Sequence, residues 1–271
     1  MQKELSSTDF GLIGHPLVHS YSKKFFTELF ADCGSDLSYD NFDLPALTPE
    51  ALYSLVLLNP RLKGFNVTAP YKEAVMEYLD SVSDCAARVG AVNTVVVRRS
   101  PDGRVLGLHG HNTDVGGFLE SVQPMLDSCA KGKGALILGT GGASKAAAEA
   151  LRQAGHPFLK VSRTKKDSAT INYADITAAI LADYPLIVNT TPAGTYPDAD
   201  TRPPFPVELL GAGSAVFDMV YNPGRTLLMK EAEARGAMVC NGLAMLHNQA
   251  LASLRIWLEA NPDIDSKNLP M

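Results

Sequence analysis

Apolar positions along the chain fall into short blocks that alternate between strand-like runs and helix-like stripes. Residues 10–13, 38–44 and 62–66 read as strands, with helices over 23–33 and 48–58 between them. The first helix sets Phe25, Phe26, Leu29 and Phe30 on its inner side. Residues 84–89 read as a short helix. Residues 92–98 and 105–108 read as a hairpin closed by the Ser100-Pro101-Asp102-Gly103 turn. A helix then runs to about residue 126. Further on come strands at 135–138, 158–162, 186–189, 215–219 and 238–240, with helices at 143–154 and 226–235. A long helix over 243–259 carries an inner stripe of Leu243, Leu246, Ala250, Leu254 and Trp257, with Gln249 beside it. The tail from residue 261 is polar and broken by proline. Strands alternating with helices predict an α/β fold with parallel sheets, whose ligands gather at the carboxyl ends of the strands.

The most pointed local pattern is the run from Gly134 to Gly155. A four-residue apolar strand meets Gly139-Thr140-Gly141-Gly142-Ala143, and an alanine-rich helix follows at once. Strand, glycine turn and helix form the dinucleotide-binding arrangement. Gly139 permits a tight turn, and Gly141 has no Cβ to hold a pyrophosphate off the backbone. The helix N-terminus offers N–H groups and partial positive charge. Ser144 stands at the third glycine position of the pattern, and a bare glycine turn is the competing reading. The next strand ends Ser162-Arg163-Thr164-Lys165-Lys166, with no Asp or Glu to take a ribose 2′-hydroxyl. An arginine fork suits a 2′-phosphate, which favours NADP over NAD. A solvated basic loop is the alternative.

The first block carries its own polar groups. Ser20 and Ser22 sit two residues apart, where extended backbone points both one way. Ser22 reads either as a helix N-cap or, with Ser20, as part of an anion site. Thr68 and Lys72 follow a strand end, where a substrate would lie. Lys72 reads as a solvated surface lysine or as a proton donor early in a helix. Asn93 lies in an apolar strand and needs a backbone or ligand partner. Asn112 or Thr113 can cap the next helix, and Asp114 suits its positive end.

Composition narrows the class. The 271 residues suffice for one large or two ordinary domains, and 46% hydrophobic content supplies a core. A net charge of −5 argues against a general nucleic-acid binder. No apolar run is long enough for a membrane span, and the first twelve residues lack the apolar core of a secretory signal. Four scattered cysteines without CxxC spacing read as reduced thiols, with no metal site, in a cytoplasmic protein. His15, His19 and His111 read as exposed loop histidines.

In combination, the motifs resemble the shikimate dehydrogenase family over roughly residues 11–257. Those motifs are Gly14-His-Pro-Leu-Val-His-Ser-Tyr-Ser22, Asn66-Val-Thr-Ala-Pro-Tyr-Lys72, Gly90-Ala-Val-Asn-Thr94, Asn112-Thr-Asp114 and Gly139-Thr-Gly-Gly-Ala143. Asn189-Thr-Thr-Pro192, Val220-Tyr-Asn-Pro223 and Asn241-Gly-Leu-Ala-Met-Leu-His-Asn-Gln249 complete the set. The resemblance implies an oxidoreductase acting on a CH–OH group, which reversibly reduces 3-dehydroshikimate to shikimate with NADPH. It implies Ser20 and Ser22 on the substrate carboxylate with Tyr221 nearby. Thr68, Asn93, Asp114 and Gln249 would hold ring hydroxyls, with Lys72 and Asp114 the catalytic pair. Gly139, Thr140, Gly141, Gly142, Ala143, Ser162, Arg163, Thr164, Thr190 and Gly242 would bind the cofactor. Lys23, Phe26-Thr27, Val115 and Thr195 depart from the family pattern without removing a proposed catalytic group.

The expected architecture is two α/β domains around a cleft. One is a parallel substrate domain over residues 1–110, with 240–271 folding back onto it, and the other a Rossmann-type NADP domain over 111–239. The expected state is a monomer or homodimer. A quinate or quinate/shikimate dehydrogenase, a methylenetetrahydrofolate dehydrogenase-like enzyme and a non-catalytic NADPH sensor are the rival readings.

Overall fold

A computed structural model describes residues 8–18, 20–164 and 170–270. His19, Lys165, Lys166 and the first seven residues, on which some of the expectations above fall, lie outside them. The chain divides into two compact units. One runs through Thr113 and resumes at Ala250; the other is Asp114–Gln249.

The first unit contains β1 (Phe10–Gly14), α1 (Ser22–Asp32), β2 (Tyr39–Asp43), α2 (Pro49–Leu58) and β3 (Gly64–Val67). It continues with β4 (Ser81–Val82), α3 (Asp84–Val89), β5 (Thr94–Arg99) and β6 (Val105–His111). The sheet order is β2-β1-β3-β5-β6-β4. β1 is parallel to β2 and β3, whereas β5 runs antiparallel to both β3 and β6. The expected parallel sheet is therefore mixed, because the 94–111 hairpin enters it as a tight antiparallel pair. Alternation divides the apolar side chains between two faces. Ile13, Phe65, Val95 and Val97 pack with Leu52 and Val56 of α2. Phe10, Leu12 and Val96 face Phe26 and Phe30 of α1, with Leu254 and Trp257.

The second unit opens with α4 (Asp114–Asp127), β7 (Ala135–Leu138), α5 (Gly142–Gln153), β8 (Phe158–Val161) and β9 (Thr170–Ile171). There follow α6 (Ala178–Asp183), β10 (Leu186–Asn189), β11 (Ala215–Asp218), α7 (Leu227–Ala234), β12 (Met238–Asn241) and the first turns of α8 (Leu243–Ala260). All its strand pairs are parallel, in the order β12-β11-β10-β7-β8-β9. The chain winds outward from β7 to β9, returns to β10 and winds out the other way. The order thus reverses between β7 and β10, the place where a doubly wound sheet takes a dinucleotide.

The sequence reading put the junctions at 110/111 and 239/240; the compact units part at 113/114 and 249/250. Hydrogen bonds from Thr113 to Asn93 and Ser253 keep Thr113 with the first unit. Gly117 of α4 lies against Met245 and Gln249, which keeps the start of α8 with the second. Leu243, expected on the inner stripe, is exposed; Ser253 and Leu258 join the buried face instead.

Candidate active site

Strand direction gathers the polar groups of the first unit. β1, β3 and β6 end at one edge of the sheet, and antiparallel β5 begins there. The segment after β1 carries Ser20 and Ser22, and the segment after β3 carries Thr68 and Lys72. Asn93 immediately precedes β5, and Thr113 follows β6. The structure thus brings Ser20, Ser22, Thr68, Lys72 and Asn93 to one edge.

Local bonds fix each of these segments. His15 Nδ1 lies 2.6 Å from Asp43 Oδ1, tying the serine loop to β2; the His15 hydrogen bond is the main reason the Asp43 carboxyl is held below its usual range. Ser22 is the first residue of α1 and not its N-cap, which is Tyr21 without a side-chain bond. Of the two readings of Ser22, the cap is thereby lost. Its hydroxyl instead hydrogen-bonds the Tyr39 phenol, a fully buried group whose pKa burial pushes well above the usual value. Thr68 N–H donates to Ile13 O at 2.9 Å, and the Lys72 carbonyl accepts from Val92 N–H at 2.7 Å. Lys72 precedes a single 3₁₀ turn, Ala74–Tyr78, and so stands outside the helix expected for it.

Asn93 is 2% exposed and has found protein partners. Its Oδ1 accepts from Thr113 N–H at 2.8 Å, and its Nδ2 donates to Thr113 Oγ1 at 2.9 Å. Beneath it, Asn66 Nδ2 donates to Asn93 O, Thr94 Oγ1 and Ser253 Oγ, and Asn66 Oδ1 accepts from Tyr39. Asn66 and Ser253 stand outside the expected site residues. The available signal was the same as for Asn93, a polar residue on an otherwise buried apolar face. His111 is half-buried; burial, with His109 nearby, lowers its pKa against the pull of Glu259. It is therefore not the exposed loop histidine expected.

In the second unit, Asp114 is buried at the start of α4. A Cβ on Gly117, one turn along, would lie 2.9 Å from Gln249 Cβ, so α4 and α8 approach closely there. Gln249 Nε2 donates to Leu246 O at 2.9 Å. Tyr221 is half-buried in the segment after β11.

The glycine turn has the geometry a phosphate requires. Gly139 has φ +109°, and a Cβ there would stand 2.8 Å from Thr190 Oγ1. Gly141 is the N-cap of α5 with no side-chain bond, and a Cβ on Gly141 or Gly142 would meet nothing within 4 Å. Backbone N–H groups at the helix start therefore face open space. Ser144 explains itself at the third glycine position: it is fully buried, and its hydroxyl donates to Gly141 O at 2.6 Å. Ser162 follows β8, with exposed Arg163 and Thr164 next to it. Thr190 Oγ1 donates to Leu138 O at 2.6 Å, linking β10 to β7. Gly242 admits no Cβ, which would lie 2.2 Å from Met219 O. The residues present fit a dinucleotide.

Residues 12–95 match the family model described as the shikimate dehydrogenase substrate binding domain. A shikimate dehydrogenase (NADP(+)) of Symbiobacterium thermophilum is 38% identical over 94% of this chain and 90% of its own. The chain belongs to the shikimate dehydrogenase family. A shikimate 5-dehydrogenase from Thermus thermophilus, solved with NADP(H) and shikimate, superposes with a TM-score of 0.77 at 35% identity, covering 93% of this chain and 94% of that one. The 5-ketofructose reductase of a Gluconobacter strain is also similar, with a TM-score of 0.76 and 29% identity over 93% of each chain. The shikimate dehydrogenase scaffold therefore extends to a neighbour named for another ketone.

Proposed function

We propose that this protein catalyses the reversible NADPH-dependent reduction of 3-dehydroshikimate to shikimate. The observation that carries the reading is the gathering of Ser20, Ser22, Thr68, Lys72 and Asn93 at one sheet edge, within the stretch matching the family's substrate binding domain. Four free cysteines fit a reducing compartment, the cytoplasm.

Hydride delivered to the ketone carbon leaves negative charge on its oxygen. The Lys72 ammonium stabilises that charge and supplies the proton, and Asp114 orients the lysine. Ser20 and Ser22 hydroxyls donate to the substrate carboxylate, with Tyr221 beside them. Tyr39 gives its one proton to Asn66 Oδ1 and so accepts from Ser22; on substrate binding Ser22 turns that proton from the phenol to the carboxylate. Thr68, Asn93, Asp114 and Gln249 bind ring hydroxyls. Bound NADPH would supply the hydride. Gly139, Thr140, Gly141, Gly142 and Ala143 would hold its pyrophosphate, and Thr190 and Gly242 would line the nicotinamide side. Its 2′-phosphate would meet Ser162, Arg163 and Thr164, the residues directly after β8, among which no carboxylate stands to favour an unmodified ribose.

The test is turnover followed by absorbance of the reduced cofactor. Shikimate, quinate and a reduced ketofructose are offered in turn, each with NADP and NAD. Turnover confined to shikimate with NADP is expected, and turnover favouring quinate, the fructose compound or NAD overturns the specificity. Arg163→Asp should reverse the preference between NADP and NAD; an unchanged preference removes the 2′-phosphate assignment.

A further inference from the structure

A buried polar cluster in the second unit centres on Asp218, a residue outside the expected site. It ends β11 and is fully buried. In register beside it stand Asn189, ending β10, and Asn241, ending β12. Three neighbouring strands thus finish on polar side chains at the carboxyl edge of the sheet, on the far side of the order reversal from β8.

Three donors from three segments converge on the Asp218 carboxylate. Oδ1 accepts from Asn189 Nδ2 at 2.9 Å and from Val220 N–H at 3.1 Å, and Oδ2 accepts from Thr226 Oγ1 at 2.7 Å. Thr226 caps α7, its oxygen accepting from Met229 N–H. Asn189 relays the tie outward, its Oδ1 accepting from both Thr191 N–H at 3.0 Å and Thr191 Oγ1 at 2.7 Å. Thr191 abuts the glycine turn: a Cβ on Gly139 would lie 3.2 Å from its Cγ2. On the other arm, Val220 precedes Tyr221, and its carbonyl accepts from Gly242 N–H.

A carboxylate accepts on both oxygens and donates on neither, so it can hold three converging donors; an amide would turn an N–H towards one of them. All three donors are neutral. Burial therefore raises the Asp218 pKa, and the hydrogen bonds only partly offset it. Such a group contributes little to stability. What it does provide is a fixed geometry for the segments 189–191 and 220–221.

We propose that Asp218 is a positioning residue for the nicotinamide half of NADPH, acting through Asn189 and Thr191 on one side and the Val220–Tyr221 backbone on the other. This rests on the reading that the cofactor spans the carboxyl edge of this sheet. With the pyrophosphate on the β7 turn and the 2′-phosphate after β8, the hydride-bearing ring falls over β10 and β11. Hydride transfer requires the ring at near-attack distance, so small shifts in these two segments cost rate steeply.

Calorimetric titration of the full chain with NADPH and with adenosine 2′,5′-bisphosphate, which lacks the nicotinamide, separates the possibilities. Asp218→Asn should bind the bisphosphate within about twofold of wild type, lose NADPH affinity by roughly tenfold and lower kcat as well. Thr191→Val removes only the outermost hydroxyl bond of the relay and should move NADPH affinity and kcat the same way, by less. Wild-type NADPH affinity and kcat in either variant overturns the proposal. Equal loss of both ligands in both variants also overturns it, since that marks damage to the whole nucleotide unit. Wild-type protein that binds neither ligand removes the cofactor reading itself, and this role with it.

Discussion

At the scale of single residues, chemistry and geometry coincide most plainly where a side chain has been denied an easier role. Ser22 forgoes the cap of α1, and Asn93 is locked by Thr113 at the end of β6. Lys72 stands ahead of a 3₁₀ turn, and its carbonyl accepts from Val92 N–H. Lys72→Ala should therefore lower kcat by roughly 10²–10⁴-fold while NADPH affinity stays unchanged. Wild-type-like kcat would remove the proton-donor role. Asp218 gives a different kind of signature. Its folded-state pKa is raised, chiefly by burial, so the folded state keeps that proton to higher pH than the unfolded chain. Its contribution to stability is full below the ordinary Asp range and is lost as pH rises through the raised value. Asp218→Asn has no such titration. Urea midpoints measured from pH 4 to 7 should show the wild type losing ground to the variant as pH rises; a constant gap would contradict a raised value. These residues differed in how far the sequence betrayed them. Gly139 and Arg163 follow from local rules of turn and charge. Asp218 looks, in sequence, like the polar residue that ends many apolar strands, and only the convergence of Asn189, Val220 and Thr226 sets it apart.

At the scale of elements, the long strands and helices were legible because their periodicity is strong. Residues 135–138 are an uninterrupted apolar run and 186–188 are one closed by Asn189; they form β7 and β10 over the expected spans 135–138 and 186–189. The two-residue strands β4 and β9 have no room for a pattern, and α6 is a six-residue helix dominated by alanine. Nor could the hairpin's sequence say that β5 would join β3 and make the sheet mixed. The end of α8 shows what packing adds to periodicity. Trp257 stacks on Phe10 with centroids 4.6 Å apart, and its Nε1 donates to Val95 O at 2.9 Å. It lies so close over β3 that a Cβ on Gly64 would meet its ring at 2.3 Å. Gly64→Ala must displace the indole or the strand. It should cost about 1–3 kcal/mol of stability by overpacking. Trp257→Ala should cost about 3–5 kcal/mol. Chemical denaturation checks both, and a Gly64→Ala variant as stable as wild type would mean that α8 does not hold the sheet this closely.

At the scale of the whole molecule, the two compact units have separate cores, and the sequence offers a way to watch them separately. Trp257 is the single tryptophan of the chain. It is buried in the first unit, among Phe10, Phe26 and Leu254. The second unit has its own core around Leu136, Leu138, Ile187 and Val216, and it holds the glycine turn. Tryptophan emission therefore reports the first unit, while far-ultraviolet circular dichroism reports both. A ligand that binds only the folded second unit stabilises that unit by mass action, by about 2.7 kcal/mol at a hundred times its Kd. For a unit of this size that is a rise of roughly 8 °C in its melting temperature. NADPH should thus raise the dichroism transition and leave the fluorescence transition nearer its ligand-free value. Shikimate alone, with its carboxylate at the Ser20 and Ser22 edge, should raise the fluorescence transition, which NADPH leaves nearer its ligand-free value. If either ligand shifts both transitions equally, α8 and the 113/114 link make the units one cooperative body. If NADPH shifts only the tryptophan signal, the nucleotide site has been placed in the wrong unit.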